Sequence, residues 1–503
     1  MTLDAFRTEI GAINDLLCAS SVLVWDSRTM MPPGGAETRG LQIATLVRAA
    51  RDRLLGDAMA RALDEARRAV EDLPEDHPDA RAVAQTLAAV AHHARVPASL
   101  VEARAALRTK AQAAWTTARA NSDFALFAPH LAETLRLTRA YADAVGFEAH
   151  PYDAMVALFE PGETAASLAS LFATLRAGIA PILDEARARP QARADFLTRG
   201  YGVEGQRAFG LAIAERFGYD LARGRLDTTT HPFEVSFTRE DVRITTRYHA
   251  DWLPASLFGT FHETGHALYE QNVDPAYTRG TLATDLIGLY GVGGTSFGAH
   301  ESQSRLWENH VARSRPFWEN HLEELKAHFP EKLADVDAQA FHAAVTRVEP
   351  GFIRVEADEL TYDLHIMLRV ELETALMSGD LAVADLPGAW NAAVRRDLGL
   401  DVPDDRRGVL QDVHWSSGYI GSFPTYTIGN VMAAQLMDAV REDDPGAVAA
   451  MERADYAPLA DWLRAAIWRH GRRFSRDELL VRATGRTLDP APYLRHLATT
   501  YAG

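Results

Sequence analysis

Along almost the whole chain, apolar residues recur at three- and four-residue spacing, and only one stretch breaks that rhythm. Such a period buries one face of a helix, whereas a strand alternates its faces every second residue. The chain is therefore expected to fold mainly as α-helix. SLVEARAALRTKAQAAWTTARA, from Ser99, is one long example, with Ser99 as its expected cap. SRDELLVRATG carries both punctuation marks: Ser475 and Glu478 form a capping-box pair, and Gly485 supplies the stop. The exception is HPFEVSFTREDVRITTRYHADW, from His231. Its segments FEVSF and VRITTRY are rich in β-branched and aromatic residues and flank a polar link, which predicts a small antiparallel hairpin.

The chain has 503 residues, enough for two or three domains or one large enzyme built around a cleft. No internal repeat and no Pro/Ser-rich linker marks an independent boundary. The net charge is 52 − 69 = −17, which argues against nucleic acid or an anionic membrane as the main partner. Cys18 is the single cysteine, so neither an intramolecular disulfide nor a Cys-based zinc site can form. Its apolar neighbourhood predicts a small core residue. The first residues lack a basic-then-apolar leader layout, and no apolar run reaches the roughly 18 residues of a membrane span. A cytoplasmic location is the resulting expectation.

Shortly after the hairpin comes GTFHETGHALYEQN, Gly259–Asn272. On a helix, His262 and His266 lie about 40° apart on one face, so both imidazoles can reach one metal ion. Glu263 lies about 100° round from His262, too far to be a third ligand on that face but within reach of a water at the metal. A catalytic zinc needs one more protein ligand and an open position. The extended HExxHxxGxxH pattern fails, because Tyr269 and Asn272 occupy its last two defined positions. A later carboxylate remains: Asp274, Asp285, Glu301 or Glu308. Asp274 precedes Pro275 in an expected turn. Asp285 reads as a cap or surface charge. Glu301 opens a predicted helix after the glycine-rich GLYGVGGTSFGAH, a context that suits delivery into a cleft. Those glycines lack the strand–loop–helix spacing of a nucleotide loop and predict a tight or mobile loop beside the site.

Several stretches together resemble the Taq-type, or M32, metallocarboxypeptidases. They are HPF (His231–Phe233), DVRIT (Asp241–Thr245), HETGH (His262–His266), HESQ (His300–Gln303), IRVEADE (Ile353–Glu359) and GVLQDVHW (Gly408–Trp415). VWDSRTMMPPGG near the start and ELLVRATG near the end extend the likeness over nearly the whole chain. The resemblance implies a large helical metallopeptidase with a deep central cleft, similar to neurolysin and angiotensin-converting enzyme, with a small antiparallel sheet near the active site. It implies one peptidase unit over residues 1–503, in which 1–225 form a mostly helical wall and lid and 226–503 the metal-binding half. It also implies a homodimer, peptide substrates with a free C-terminus, and one divalent metal per chain, zinc with cobalt or manganese as alternatives. The third ligand it assigns is Glu301.

On this reading His262, His266 and Glu301 hold the ion and Glu263 is the general base. Tyr426, and after it His231, are candidates to stabilise the oxyanion. Arg354 has the planar fork suited to a substrate carboxylate, its competing reading being an ion pair with Asp358 four residues on. Arg243 is the alternative, with a structural pair to Asp241 as its competing reading. Gln411 and His414 are expected at the substrate, and Asp412 could orient a histidine. The nearest rival function is an oligopeptidase or dipeptidase of the same fold, separated by whether a free C-terminus is required. A helical scaffold with structural zinc is the rival of another class. Structural zinc is usually enclosed by four protein ligands, often Cys, and none lies near the motif.

Overall fold

The computed structural model describes residues 3–502. It is mainly α-helical with one three-stranded sheet. The chain divides into two compact units, neither of them a continuous stretch. The first takes in Met1–His93, Ala192–Val345 and Gly429–Asp489; the second Ala94–Gln191, Thr346–Ile428 and Pro490–Gly503.

The first unit is organised round the helix Leu253–Gln271, which carries the two histidines. Fourteen of its nineteen residues are buried, so it is a core helix rather than a surface one. Its apolar side packs into an aromatic cluster: Phe261 lies 5.8 Å, centroid to centroid, from both Phe217 and Phe317, and Trp307 is 4.5 Å from Phe217. The sheet packs on the same helix. Strands β2 (Glu234–Thr238) and β3 (Asp241–Thr246) form the expected antiparallel hairpin, with a register shift between Ser236 and Thr238. A third strand, β1 (Gly224–Thr228), was not expected. It pairs parallel to β3, with Gly224 opposite Val242, and gives the order β1-β3-β2. GRLDT has one large apolar residue, Leu226, so its pattern carries almost no strand signal. At the end of β3 the Thr246 hydroxyl donates to the Ser256 carbonyl at 3.2 Å and ties the sheet to the histidine helix.

Three local expectations differ in detail. The helix predicted from Ser99 begins at Ala98, with Pro97 at the N-cap position and no side chain capping it. Cys18 is half-buried, not fully in the core, and its thiol donates to the Phe237 carbonyl at 2.9 Å. The glycine-rich segment is a tight turn: Asp285 and Tyr290 exchange backbone hydrogen bonds, and the Asp285 carboxylate accepts from Ile287 and Gly288 N–H. By contrast, Ser475, Glu478 and Gly485 form the predicted capping box and left-handed stop.

The second unit is built on Glu359–Ser378, sixteen of whose twenty residues are buried. Its acids bind neighbouring segments: Asp363 accepts from Thr427 and Tyr493 at 2.7 Å, and Glu373 from Tyr152, Trp415 and Gly421 N–H. The helix Ala165–Ala188 is long and apolar enough to cross a membrane by length and composition alone. Here a stripe including Leu168, Phe172, Leu175 and Ile179 is buried, and Arg176 pairs with Glu371 at 2.6 Å.

Candidate active site

Two helices of the first unit bring the predicted ligands together. His262 and His266 project from one face of Leu253–Gln271. Glu301 comes from Phe297–Arg305, a helix capped by the Ser296 hydroxyl, which accepts from Ala299 N–H at 3.0 Å. The helices approach closely because residue 265, inside the HETGH motif, is glycine. A Cβ there would lie 2.4 Å from the Gln303 carbonyl oxygen. Gly429 gives similar room to Glu301, since a Cβ at 429 would lie 2.6 Å from the Glu301 Cγ.

The donor atoms fit a divalent metal. Nε2 of His262 and of His266 lie 3.7 and 3.4 Å from Glu301 Oε2, and the three ligand atoms fall within 4.8 Å of one another. A tetrahedral centre with bonds of about 2.0–2.2 Å sets its ligands about 3.3–3.6 Å apart. Of the other carboxylates weighed from the sequence, Asp274 caps the turn Pro275–Tyr277 and Asp285 anchors the glycine-rich turn.

Glu308, the fourth, has a different place. Its Oε2 lies 2.9 Å from His262 Nδ1, which leaves His262 Nε2 facing Glu301 as the candidate ligand atom. The helix widens to an i→i+5 hydrogen bond here, Arg313 N–H to the Glu308 carbonyl. His266 is backed by a longer chain: its Nδ1 is 2.5 Å from His300 Nδ1, and His300 Nε2 is 2.9 Å from Glu270 Oε1. A lone pair free at His266 Nε2 requires the proton on Nδ1, donated to His300, which in turn donates to Glu270. No motif assigns these partners. The available signal was helical spacing: Glu270 follows His266 by four, and Glu301, Arg305 and Glu308 share one face.

Charge is arranged to keep the ligand carboxylate ionised. Burial alone would raise Glu301, but Arg305, whose Nε donates to Glu301 Oε1 at 2.8 Å, and the two histidines hold it well below the usual range. Burial likewise opposes ionisation of Glu308 and is outweighed by Arg305, His262 and Arg313. Burial lowers His266 to about 3, so it is a neutral donor. Glu263 is buried, and desolvation pushes its carboxyl up to about 8 on the protein's own charges, against the pull of His262. A cation at the adjacent donors favours its ionised form.

Arg354, Gln411, His414 and Tyr426 belong to the second unit. Arg354 pairs not with Asp358, which caps Glu359–Ser378, but with Asp412 at 2.9 Å. Asp412 is also 3.8 Å from His414 Nδ1, and His414 Nε2 is 3.1 Å from the Tyr426 hydroxyl. The Gln411 amide is engaged with backbone: it accepts from Arg354 N–H at 3.0 Å and donates to the Phe352 carbonyl at 3.0 Å. It thereby holds the Arg354 turn. Arg243 makes a two-pronged pair with Asp241, both contacts 2.8 Å, and stacks 4.5 Å from the Trp25 ring centroid. His231 is exposed in the bend before β2.

A His-Glu-x-x-His helix joined by a glutamate from a second helix defines a metallopeptidase of the water-activating type. Residues 5–501 match the family model of the Carboxypeptidase Taq (M32) metallopeptidases. Thermostable carboxypeptidase 1 of Thermus thermophilus is 40% identical over 504 residues, covering 97% of this chain and 96% of that one. Carboxypeptidase 1 of Bacillus subtilis is 37% identical over 96% of this chain and 95% of its own. Among solved structures, the M32 carboxypeptidase from Deinococcus radiodurans superimposes with a TM-score of 0.93 at 40% identity, covering 99% of this chain and 98% of the other. The chain belongs to the Taq-type M32 carboxypeptidase family and is a metal-dependent carboxypeptidase, a hydrolase acting on peptides.

Proposed function

We propose that the enzyme removes single residues from free peptide C-termini, with broad specificity, and that His262, His266 and Glu301 hold a zinc ion. Cobalt and manganese suit the same donor set to a degree. An ion held there would contribute Lewis-acid chemistry, acidifying a water and polarising the scissile carbonyl. Glu263 takes a proton from the attacking water and returns it to the leaving amine. Tyr426 donates a hydrogen bond to the developing oxyanion, with His231 as the lesser candidate. Arg354 receives the substrate's terminal carboxylate, and His414 contacts substrate beside it. The observation that carries the reading is Glu263: it is buried immediately next to a ligand histidine, with the three ligand atoms within 4.8 Å of one another. We further infer a homodimer from the family resemblance, to be checked as twice the chain mass in light scattering.

The test uses one short peptide as free acid and as C-terminal amide, each incubated with metal-loaded enzyme and followed by mass spectrometry. Stepwise loss from the free acid alone is expected. Internal cleavage of both forms would make the enzyme an oligopeptidase and remove the role given to Arg354. Glu263→Gln is expected to lower turnover about 10²- to 10⁴-fold while the metal content stays at wild-type level.

A further inference from the structure

A buried ion cluster in the second unit holds more positive charge than its acid can balance. Asp412 stands between two arginines. Its Oδ1 accepts from Arg354 Nε and Nη2 at 3.1 and 2.9 Å; its Oδ2 accepts from Arg369 Nε at 2.7 Å and lies 2.6 Å from Arg369 Nη2. Two guanidinium groups less one carboxylate leave a net charge of 2 − 1 = +1. Neither imidazole beside the cluster lowers that count: burial, then Arg369 and Arg354, lower His365 to about 3, and His414, with Nδ1 3.8 Å from Asp412 Oδ1, carries no negative charge. Aromatic faces offset part of the excess: Trp390 lies 4.6 Å from the Arg369 guanidinium, and Tyr426 lies 5.0 Å from that of Arg354.

The two arginines are not equivalent. Arg369 is fully buried on the helix Glu359–Ser378, and its Nη1 donates to the His365 carbonyl at 2.6 Å. Arg354 is 6% exposed, at the edge of the cluster. A guanidinium has five N–H donors. Arg354 directs two at Asp412 and one, from Nη1, at the Tyr362 hydroxyl at 2.9 Å. Five less three leaves two N–H donors, one on each terminal nitrogen of the guanidinium fork, the kind of donor that binds a carboxylate. An Asp412 paired with Arg354 alone would orient that fork but cancel its charge.

We propose that Arg369 is a positioning residue for recognition of the substrate's terminal carboxylate: by engaging Oδ2 of Asp412 it lets that acid orient Arg354 without neutralising it. The inference rests on the reading of Arg354 given above. Arg369 touches no substrate, and its effect runs through the charge of a neighbour.

The test measures KM, kcat and thermal melting of the metal-loaded full chain with an N-blocked tripeptide free acid. Arg369→Met leaves Arg354 and Asp412 paired one to one, so no bare buried charge is created and a folded protein is expected. Its KM should rise about ten-fold with kcat little changed. Adding Asp412→Asn restores the net charge to +1, and KM should return toward wild type. Arg369→Lys keeps the charge, and because both Arg369 nitrogens converge on one oxygen, a point charge suffices; its KM should stay within about three-fold of wild type. Unchanged KM in Arg369→Met, a double variant as impaired as the single, or a folded Lys variant as impaired as Met would each overturn the proposal. Arg354→Met separates the two readings. If it leaves KM unchanged, Arg354 does not bind the carboxylate and both fall. If it raises KM while Arg369→Met does not, only the role of Arg369 falls.

Discussion

Glu308 shows how much a single carboxylate can contribute from behind a candidate ligand. It lies against His262 Nδ1 at 2.9 Å, and Arg313 Nη2 donates to its other oxygen at 3.0 Å. The contact fixes which imidazole nitrogen faces the ligand cluster, and the two arginines keep the acid charged. Glu308→Gln is therefore expected to weaken metal binding by about 10- to 100-fold. Competition with a chromophoric chelator measures that constant directly, and excess metal should recover most of the turnover. A variant that holds metal as tightly as wild type would assign Glu308 to the Arg305–Arg313 network alone.

At the scale of elements, the site depends on how closely two helices can pass. A methyl group at residue 265 would meet backbone, the Gln303 carbonyl at 2.4 Å and the Ser304 Cα at 2.6 Å, and neither can rotate away. Alanine is the better helix former by about 1 kcal/mol, so propensity alone predicts that Gly265→Ala stabilises. The packing argument predicts the reverse, a loss of roughly 1–3 kcal/mol in unfolding free energy. Metal affinity should fall with it, because one helix carries both histidines and the other carries Glu301. Chemical denaturation of the metal-free protein, paired with the chelator assay, checks both. The motif is legible in sequence as HExxH, but this function of its glycine is not, because the opposing backbone lies 38 and 39 residues further along.

For the whole molecule, folding stability depends on segments distant in the chain. Each unit is assembled from three of them, and in the second unit Glu373 accepts hydrogen bonds from Tyr152, Trp415 and Gly421. Desolvation nevertheless raises its carboxyl from 4.5 to about 7. A group whose folded pKa lies above its unfolded value stabilises fully below the unfolded pKa and loses that contribution as pH rises through the folded one. Wild type should accordingly lose a few kcal/mol relative to Glu373→Gln between pH 5 and pH 8. In thermal melts across that range the gap between the two proteins should narrow as pH rises. A constant gap would mean that Glu373 stays ionised throughout.

What the sequence determined by itself is what the backbone period determines. Residues three or four apart share a helix face whatever surrounds them, so His262 and His266, the Ser475–Glu478 box and the mainly helical class were readable directly. The hairpin β2–β3 followed from its β-branched and aromatic residues on either side of a polar link, whereas β1 did not, since a five-residue edge strand with one apolar side chain is made by its neighbour. The third ligand was narrowed by context and family likeness to Glu301. Only tertiary packing placed Glu308 on His262, set His300 and Glu270 behind His266, paired Arg354 with Asp412 instead of Asp358, and added Arg369 to that pair. Those partners meet across intervals of 30 to 58 residues. No local period spans such a distance, and the contact exists only because separate helices bury their faces against one another.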